Sequence, residues 1–253
     1  MTDRMLTLQN TPNEAGIEIS GDFLDLDTLY MALHTVVGDE GEFSQYESAR
    51  LRVLSVCYDL RHAIMGDREV VFIENGMDED KMKHLGIITQ EKNLYYKCAV
   101  YFPEALFVTM ALNDFIRLYA KKKVKSVPFP LQDKHNLWDP FIANVRLFQS
   151  EVVKCVKQTV TDASFRRMLN LLHHDYPWMN GYITQYLDMQ NIRYLNMNKE
   201  ERRKALPSMV KRLVEQGTEY RQMERDIKDM ANEHNCSIDD IRLNLEYPEE
   251  IEW

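Results

Sequence analysis

The sequence lacks any apolar run close to the roughly 18 residues that a membrane-spanning helix requires. Its first residues also lack the basic start, apolar stretch and small-residue cleavage site of a secretory signal. The four cysteines are dispersed, without a CxxC pair or a neighbouring histidine that would indicate zinc, and are interpreted as small buried apolar residues. We therefore expect a cytoplasmic protein with no membrane segment and no bound metal.

Motifs for cofactor binding and nucleophilic catalysis are also missing. The sequence has no GxGxxG, GxxxxGKS/T or GxSxG pattern. Asp22, Asp25 and Asp27 lie close together but lack the ligand spacing and closing glutamate of a calcium loop. Asp22 or Asp25 is therefore expected to cap the following helix, and no cofactor is expected.

The net charge of −9 is unevenly distributed. Residues 1–103 and 236–253 are acidic, whereas residues 104–235 carry more basic than acidic side chains. The acidic first part disfavours nonspecific binding of nucleic acid. The basic middle is expected to contact an acidic partner, RNA or, most simply, the acidic end of the same chain.

Residues 1–125 alternate between short β-type runs and amphipathic helical runs, which predicts an α+β domain with a small, mostly antiparallel sheet packed with helices. The predicted strands are Met5–Leu8, Ile17–Ser20, Arg68–Glu74 and Asn93–Phe102. The predicted helices are Leu24–Val37, Tyr46–Met65, Asp78–Leu85 and Glu104–Ala120.

The remainder of the chain is predicted to be mainly helical. Residues 126–138 contain Pro128 and Pro130 and show no periodicity, which indicates a linker. Residues 139–235 are predicted to form a helical domain, and residues 236–253 form an acidic C-terminal segment. The helices expected in the second domain are Pro140–Val160, Asp162–His174, Trp178–Met197 and Lys199–Glu233.

The helix Tyr46–Met65 has apolar residues around most of its circumference, so we predict that it is central and mostly buried. One narrow polar stripe interrupts this surface at helical spacing. The stripe consists of Ser48, Arg52, Ser55, Asp59 and His62.

The same helix supplies the first candidate binding site, which consists of Asp59, Arg61, His62, Asp67 and Arg68. Asp59 is expected to reach His62, giving an acid/base or anion-binding group. Arg61 is expected among apolar residues, where a buried guanidinium needs a carboxylate partner. The structural alternative is that the stripe is the solvated edge of the helix and that Arg61 is a buried staple.

A second candidate is catalytic and consists of Arg166, Arg167 and His173. Their spacing resembles the arginine-x4-6-histidine pattern of HEPN ribonucleases, in which the pair acts on an RNA phosphate. The chain departs from that pattern by a second arginine after Arg166 and by the strands predicted before residue 103. The structural alternative is a solvated helix end whose histidines complement the helix dipole.

In the last predicted helix, apolar residues with Gln216 among them recur at alternating spacings of four and three, which is typical of a coiled-coil seam. The seam consists of Met209, Leu213, Tyr220, Met223, Ile227 and Met230. It predicts either contact with a protein partner or a second copy, or an amphipathic helix packed on its own domain.

Two segments carry a resemblance to a known family. Ile19–Tyr30 (ISGDFLDLDTLY) and Tyr58–Glu69 (YDLRHAIMGDRE) resemble an uncharacterised family of bacterial proteins classed as a domain of unknown function. The resemblance covers the first half of the chain and implies a bacterial cytosolic protein. It implies no activity, substrate or site residue.

These observations favour a protein-interaction or regulatory protein without catalytic activity. The alternative is a ribonuclease or another phosphate-directed enzyme that uses an Arg/His pair. An enzyme requires a concave pocket where polar groups from several elements converge, whereas an interaction protein requires an exposed apolar patch or seam.

Overall fold

A computed structural model describes residues 6–124, 127–175 and 182–253, and within them the predicted α+β class is confirmed. Some predicted positions lie outside the described residues. They are Met5 of the first predicted strand, residues 125–126 at the predicted domain boundary, and residues 178–181 at the start of the third helix predicted for the second domain. The strands are β1 (Thr7–Asn10), β2 (Gly16–Gly21), β3 (Glu69–Glu74) and β4 (Lys92–Tyr101). The helices are α1 (Phe23–Val37), α2 (Glu47–Ile64), α3 (Glu79–Leu85), α4 (Phe102–Lys123), α5 (Lys134–Leu137), α6 (Pro140–Thr159), α7 (Asp162–Leu172), α8 (Ile183–Leu195), α9 (Lys199–Glu215) and α10 (Thr218–Glu233).

The four strands form one antiparallel sheet in the order β1-β2-β4-β3. The long strand β4 pairs with β2 through residues 96–101 and with β3 through residues 92–97. Beyond Lys97, no strand among the described residues pairs with the edge of β4 that faces away from β2. An uncovered edge presents backbone hydrogen-bonding groups to whatever lies beside it.

The central helix is α4 rather than α2, which corrects the prediction for Tyr46–Met65. Most of α4 is buried on all sides, whereas α2 buries one face that includes Val53, Val56 and Leu60. Leu51 and Tyr58 of α2 are each more than half exposed. Helix α2 has apolar residues around most of its circumference, but α1, α4 and β4 pack against one side of it. The apolar residues on its other side are therefore exposed.

The apolar core is continuous from Leu8 to Ile241 and includes residues on both sides of segment 126–138. Helix α6 packs on α1 and β1, and Asn10 of β1 donates a hydrogen bond of 3.2 Å to the carbonyl oxygen of Cys155 in α6. The two predicted domains thus share one core, and their separation as independent folding units stays a prediction.

The predicted seam packs within this chain. Its last member, Met230, is partly exposed, and the other five are buried: Met209, Leu213, Tyr220, Met223 and Ile227. The long helical element predicted for Lys199–Glu233, which Gly217 is expected to weaken, forms two helices, because Gln216 adopts a left-handed conformation (φ 47°) and Gly217 is the N-cap of α10. Contact with a partner or a second copy through the seam stays a prediction, and within this chain its five buried side chains belong to the core.

The C-terminal segment is held by its backbone and its aromatic rings rather than by its charge. The backbone N–H of Asn13 donates to the carbonyl oxygen of Trp253 at 2.9 Å, and Arg202 donates to that of Glu252 at 2.9 Å. Among the described residues, none of the glutamates after residue 245 forms an ion pair. Lys122 and Lys123 of the basic middle instead pair with Glu42 and Asp139. The expected contact between the basic middle and the C-terminal segment is therefore made, among the described residues, by Arg202 to a backbone carbonyl oxygen and not by ion pairs with these glutamates.

Candidate functional site: a polar cleft beside strand β4

The polar stripe of α2 lies along a cleft of about 770 Å³. One wall is α2, with Arg52, Ser55 and Asp59, and the opposite wall includes the uncovered edge of β4 from Cys98 to Tyr101. Helices α4 and α8, strands β2 and β3, the turn at Thr11 and Pro12 and the C-terminal segment also contribute to the lining. Three of the five stripe residues, Arg52, Ser55 and Asp59, thus line a cleft, so this part of the stripe is more than the solvated edge of a helix.

Arg52 joins three helices at the end of the cleft. Its guanidinium donates to Asp188 Oδ2 at 2.5 Å, to the carbonyl oxygen of Thr184 at 2.8 Å and to Glu104 Oε2 at 3.4 Å. Asp188 and Thr184 lie on α8, and Glu104 lies in the first turn of α4. A second cavity of about 550 Å³ lies on the other side of Arg52, so this ion cluster separates two polar spaces.

Glu104 and Asn191 present buried acceptors with no partner. Asn191 Nδ2 donates to Glu104 Oε2 at 2.9 Å, but Glu104 Oε1 and Asn191 Oδ1 accept no hydrogen bond from any described residue. Both side chains line the cleft and are more than nine-tenths buried. Burial raises the pKa of the Glu104 carboxyl, and the nearby Arg52 guanidinium and the Asn191 amide only partly oppose this effect.

Aromatic rings form part of the cleft wall. Tyr101 stacks on Tyr247 and on Trp253, with ring centroids 5.8 Å and 5.4 Å apart. The Tyr247 hydroxyl donates to Asp188 Oδ1 at 2.8 Å. Burial and the Asp188 carboxylate both raise the pKa of Tyr247, so it remains a neutral donor at physiological pH.

The cations at the rim of the cleft are already paired. Arg68 donates to Asp59 Oδ1 at 2.9 Å, and Lys97 contacts carboxylate oxygens of Glu18 at 3.0 Å and Glu69 at 3.7 Å. Arg52, the remaining lining cation, has its own two carboxylate partners. Carboxylates therefore outnumber cations along the cleft.

Two of the five predicted binding residues, Asp59 and Arg68, line this cleft. The expected contact between Asp59 and His62 is absent, because His62 Nδ1 lies 2.9 Å from Asp67 Oδ2 and Asp59 pairs with Arg68. Arg61 is exposed and has no ion-pair partner among the described residues, so its expected buried carboxylate contact is wrong. Helix α2 simply turns Arg61 away from its covered face.

The second predicted candidate does not form a convergent site. Arg166, Arg167 and His173 are all exposed on α7 and at its end. Arg167 donates to Ser164 Oγ at 3.3 Å, and His173 Nδ1 lies 3.3 Å from the carbonyl oxygen of Leu169. Arg167 and His173 therefore contact residues of their own helix, as expected for a solvated helix end.

Sequence reasoning missed three residues that line the cleft, Glu104, Asn191 and Tyr247, and also Asp188, which pairs with Arg52 beside it. The only local signal was the spacing of Asp188 and Asn191 by three residues, which places both on one face of a helix. In the part of the chain that the structure describes, no group of three or more His, Cys, Asp or Glu side chains is arranged to hold a metal ion. Across the same ranges, no helix combines the length and apolar character needed to cross a bilayer.

Fold and site together define an α+β protein with a polar, partly aromatic cleft between its sheet and its C-terminal helices. The chain belongs to the family described as Domain of unknown function (DUF6904), whose model matches residues 6–253. The family match therefore extends well beyond the first half of the chain, where the resemblance was found. No curated protein and no solved structure matches the chain.

Proposed function

We propose that this chain is a cytoplasmic bacterial regulatory protein that binds a small molecule in the polar cleft and carries out no catalysis. The bacterial and cytoplasmic assignment rests on the sequence resemblance and on the cysteine usage. The observation that carries the binding function is the pair of buried, unpartnered acceptors, Glu104 Oε1 and Asn191 Oδ1.

A purely structural role for the ion cluster explains these acceptors less well. A buried polar atom without a partner costs on the order of 1–3 kcal/mol, and folded proteins satisfy the large majority of such atoms. The cleft volume of about 770 Å³ lies within the range of small-molecule sites. A ligand that donates hydrogen bonds to both acceptors would remove their cost and be held between α2, α4 and α8.

Ligand binding is tested by filling the cleft. Ser55 lies on its wall and is exposed, so Ser55→Trp obstructs the cleft without removing a buried polar group. Ser150→Trp, at an exposed position on α6, is the matched control. We expect a screen of cationic, neutral and anionic metabolites to contain compounds that raise the melting temperature of the original protein and of Ser150→Trp, but not of Ser55→Trp. Equal shifts in all three proteins, or no shift with any compound, would reject the proposal.

An exposed apolar surface favours protein interaction as a second candidate. Residues 69–94, here called the arm, are mostly exposed and comprise β3, α3 and the start of β4. The arm presents large apolar side chains: Phe72, Leu85, Ile87, Ile88 and Leu94. Contiguous exposed apolar patches mark interaction sites in otherwise well-packed proteins.

Self-association through the arm is tested by analytical ultracentrifugation over a range of concentrations. If a second copy binds the arm, Phe72→Lys should lower the sedimenting mass at high concentration, whereas Leu51→Lys, at an exposed apolar position on α2, should not. A monomer at all concentrations would exclude the second copy as the occupant.

The phosphate-directed alternative stays a prediction with a direct assay. It requires that purified protein degrade RNA and that His173→Ala or His62→Ala abolish the degradation. The cleft proposal expects intact RNA with all three proteins.

A further inference from the structure

We infer that the cleft is selective for small organic cations with a primary ammonium group, which donates hydrogen bonds to Glu104 Oε1 and Asn191 Oδ1. This inference rests on the proposed binding function and specifies its ligand class. It follows from the hydrogen-bonding capacity, the charge and the aromatic lining of the cleft, which point to the same class independently.

Hydrogen-bonding capacity gives the first argument. Within the cleft lining, the buried side-chain atoms that lack a partner among the described residues are both acceptors, Glu104 Oε1 and Asn191 Oδ1, and the hydrogen bond from Asn191 to Glu104 joins their side chains. An ammonium group offers three donors and no acceptor, so its hydrogen-bonding capacity is complementary to a pair of acceptors. An ionised carboxylate or phosphate oxygen is an acceptor only and would leave both atoms unsatisfied.

Charge gives the second argument. The lining contains three cationic side chains, and each already contacts one or two carboxylates: Arg52, Arg68 and Lys97. Four of the carboxylates in these pairs line the cleft, namely Glu18, Asp59, Glu69 and Glu104, and the fifth, Asp188, lines the second cavity. An incoming cation therefore meets a surplus of negative charge, and an incoming anion would have to displace an existing ion pair.

The aromatic lining gives the third argument. Tyr101, Tyr247 and Trp253 are stacked at the side of the cleft and all contribute to its lining. Aromatic rings attract cations through their quadrupole and also cover the alkyl part of an amine ligand. The cleft thus combines an acidic end for the ammonium group with an apolar surface for its carbon chain.

Calorimetric titration with butylamine, 1-butanol and butyrate tests the inference, because these probes share a carbon chain and differ in the head group. We expect butylamine to bind at least about tenfold more tightly than either of the others, a difference of about 1.4 kcal/mol. Glu104→Gln, which keeps the shape and removes the charge, should weaken butylamine binding by about tenfold or more. Glu79→Gln, at an exposed position on α3, removes one charge outside the cleft and should leave the affinity unchanged.

The outcomes separate this inference from the proposed binding function. If butyrate or butanol binds more tightly than butylamine and Ser55→Trp blocks that binding, the cleft is a ligand site but its selectivity for cations is wrong. If butylamine binds equally to the original protein and to Ser55→Trp, the cleft is not its site. If Glu104→Gln does not fold, butylamine and butanol are titrated into the original protein at increasing NaCl concentrations. Butylamine affinity should then fall with salt while butanol affinity does not. A butylamine affinity that does not change with salt overturns the inference.

Discussion

Removal of the Arg52 guanidinium is expected to destabilise the fold by about 3 kcal/mol, because a buried carboxylate that loses its cationic partner costs roughly 3–5 kcal/mol. The low end of this range applies because water can partly replace the lost partner. The side chains of Arg52 and Asp188 remain 21% and 25% exposed. The perturbation is Arg52→Met, which keeps the length of the aliphatic stem.

The loss of unfolding free energy in Arg52→Met should increase as the pH rises. Burial already raises the folded-state pKa of Glu104, and the Arg52 charge opposes that rise, so the variant should raise this pKa further. A carboxyl whose pKa is higher in the folded state stabilises the fold below its unfolded pKa, and this stabilisation is lost as the pH rises through the folded value. The deficit of Arg52→Met relative to the original protein should therefore be larger at pH 8 than at pH 5.

Urea unfolding followed by far-UV circular dichroism at both pH values measures this deficit. The matched control is Arg61→Met, which removes an exposed arginine from the same helix and should change the free energy of unfolding by no more than about 0.5 kcal/mol. Adding Glu104→Gln to Arg52→Met should recover stability at pH 8, because the uncompensated charge is gone. Equal losses for Arg52→Met and Arg61→Met, or a deficit that shrinks as pH rises, would refute the reasoning.

Two further predictions concern packing and thiol reactivity. Ile227→Ala should lower the free energy of unfolding by about 2–4 kcal/mol because Ile227 is fully buried. Met230→Ala, at a partly exposed position, should lower it by less than about 1 kcal/mol. If denaturant unfolding gives similarly small losses for both variants, α10 does not pack on its own chain. Cys236 should be the one cysteine that iodoacetamide modifies in the native protein, because it is exposed while the other three are buried. Burial raises the pKa of Cys57 and Cys98 to about 12, and peptide mass spectrometry that finds either thiol modified before unfolding would show that the core is open.

The sequence was sufficient for the fold class and for most helix and strand positions, because apolar periodicity and capping residues act locally. Asp22 and Asp25, for example, form the reciprocal capping box that starts α1. How deeply each helix is buried was harder to predict from the sequence. Leu51 and Tyr58 gave α2 an apolar circumference, but only the arrangement of α1, α4 and β4 determines which side is covered.

The candidate site was partly predictable for the same reason. The polar stripe with Arg52 and Asp59 follows from helical spacing, and it does face the cleft. Its partners Glu104, Asp188 and Tyr247 come from helices and a segment that are distant in the sequence, and no local pattern joins them. Unsatisfied acceptors are a property of the packed structure, so they carry no sequence signal at all.

The central claim is that Glu104 accepts a cation in the cleft. Groups that face or influence this carboxyl come from α2, α8, β4 and the C-terminal segment: Arg52, Asp188, Asn191, Tyr101 and Tyr247. Since burial raises the pKa of Glu104, protonation at low pH removes the charge that an ammonium ligand requires. Butylamine itself remains protonated throughout the neutral range, so a change in affinity there reports on the protein.

The most direct test is therefore the affinity of butylamine, measured by calorimetry between pH 5 and pH 8 for the original protein and for Glu104→Gln. The account predicts that affinity rises with pH in the original protein and that the variant binds weakly with little dependence on pH. An affinity that is independent of pH, or a variant that binds as tightly as the original protein, would contradict it.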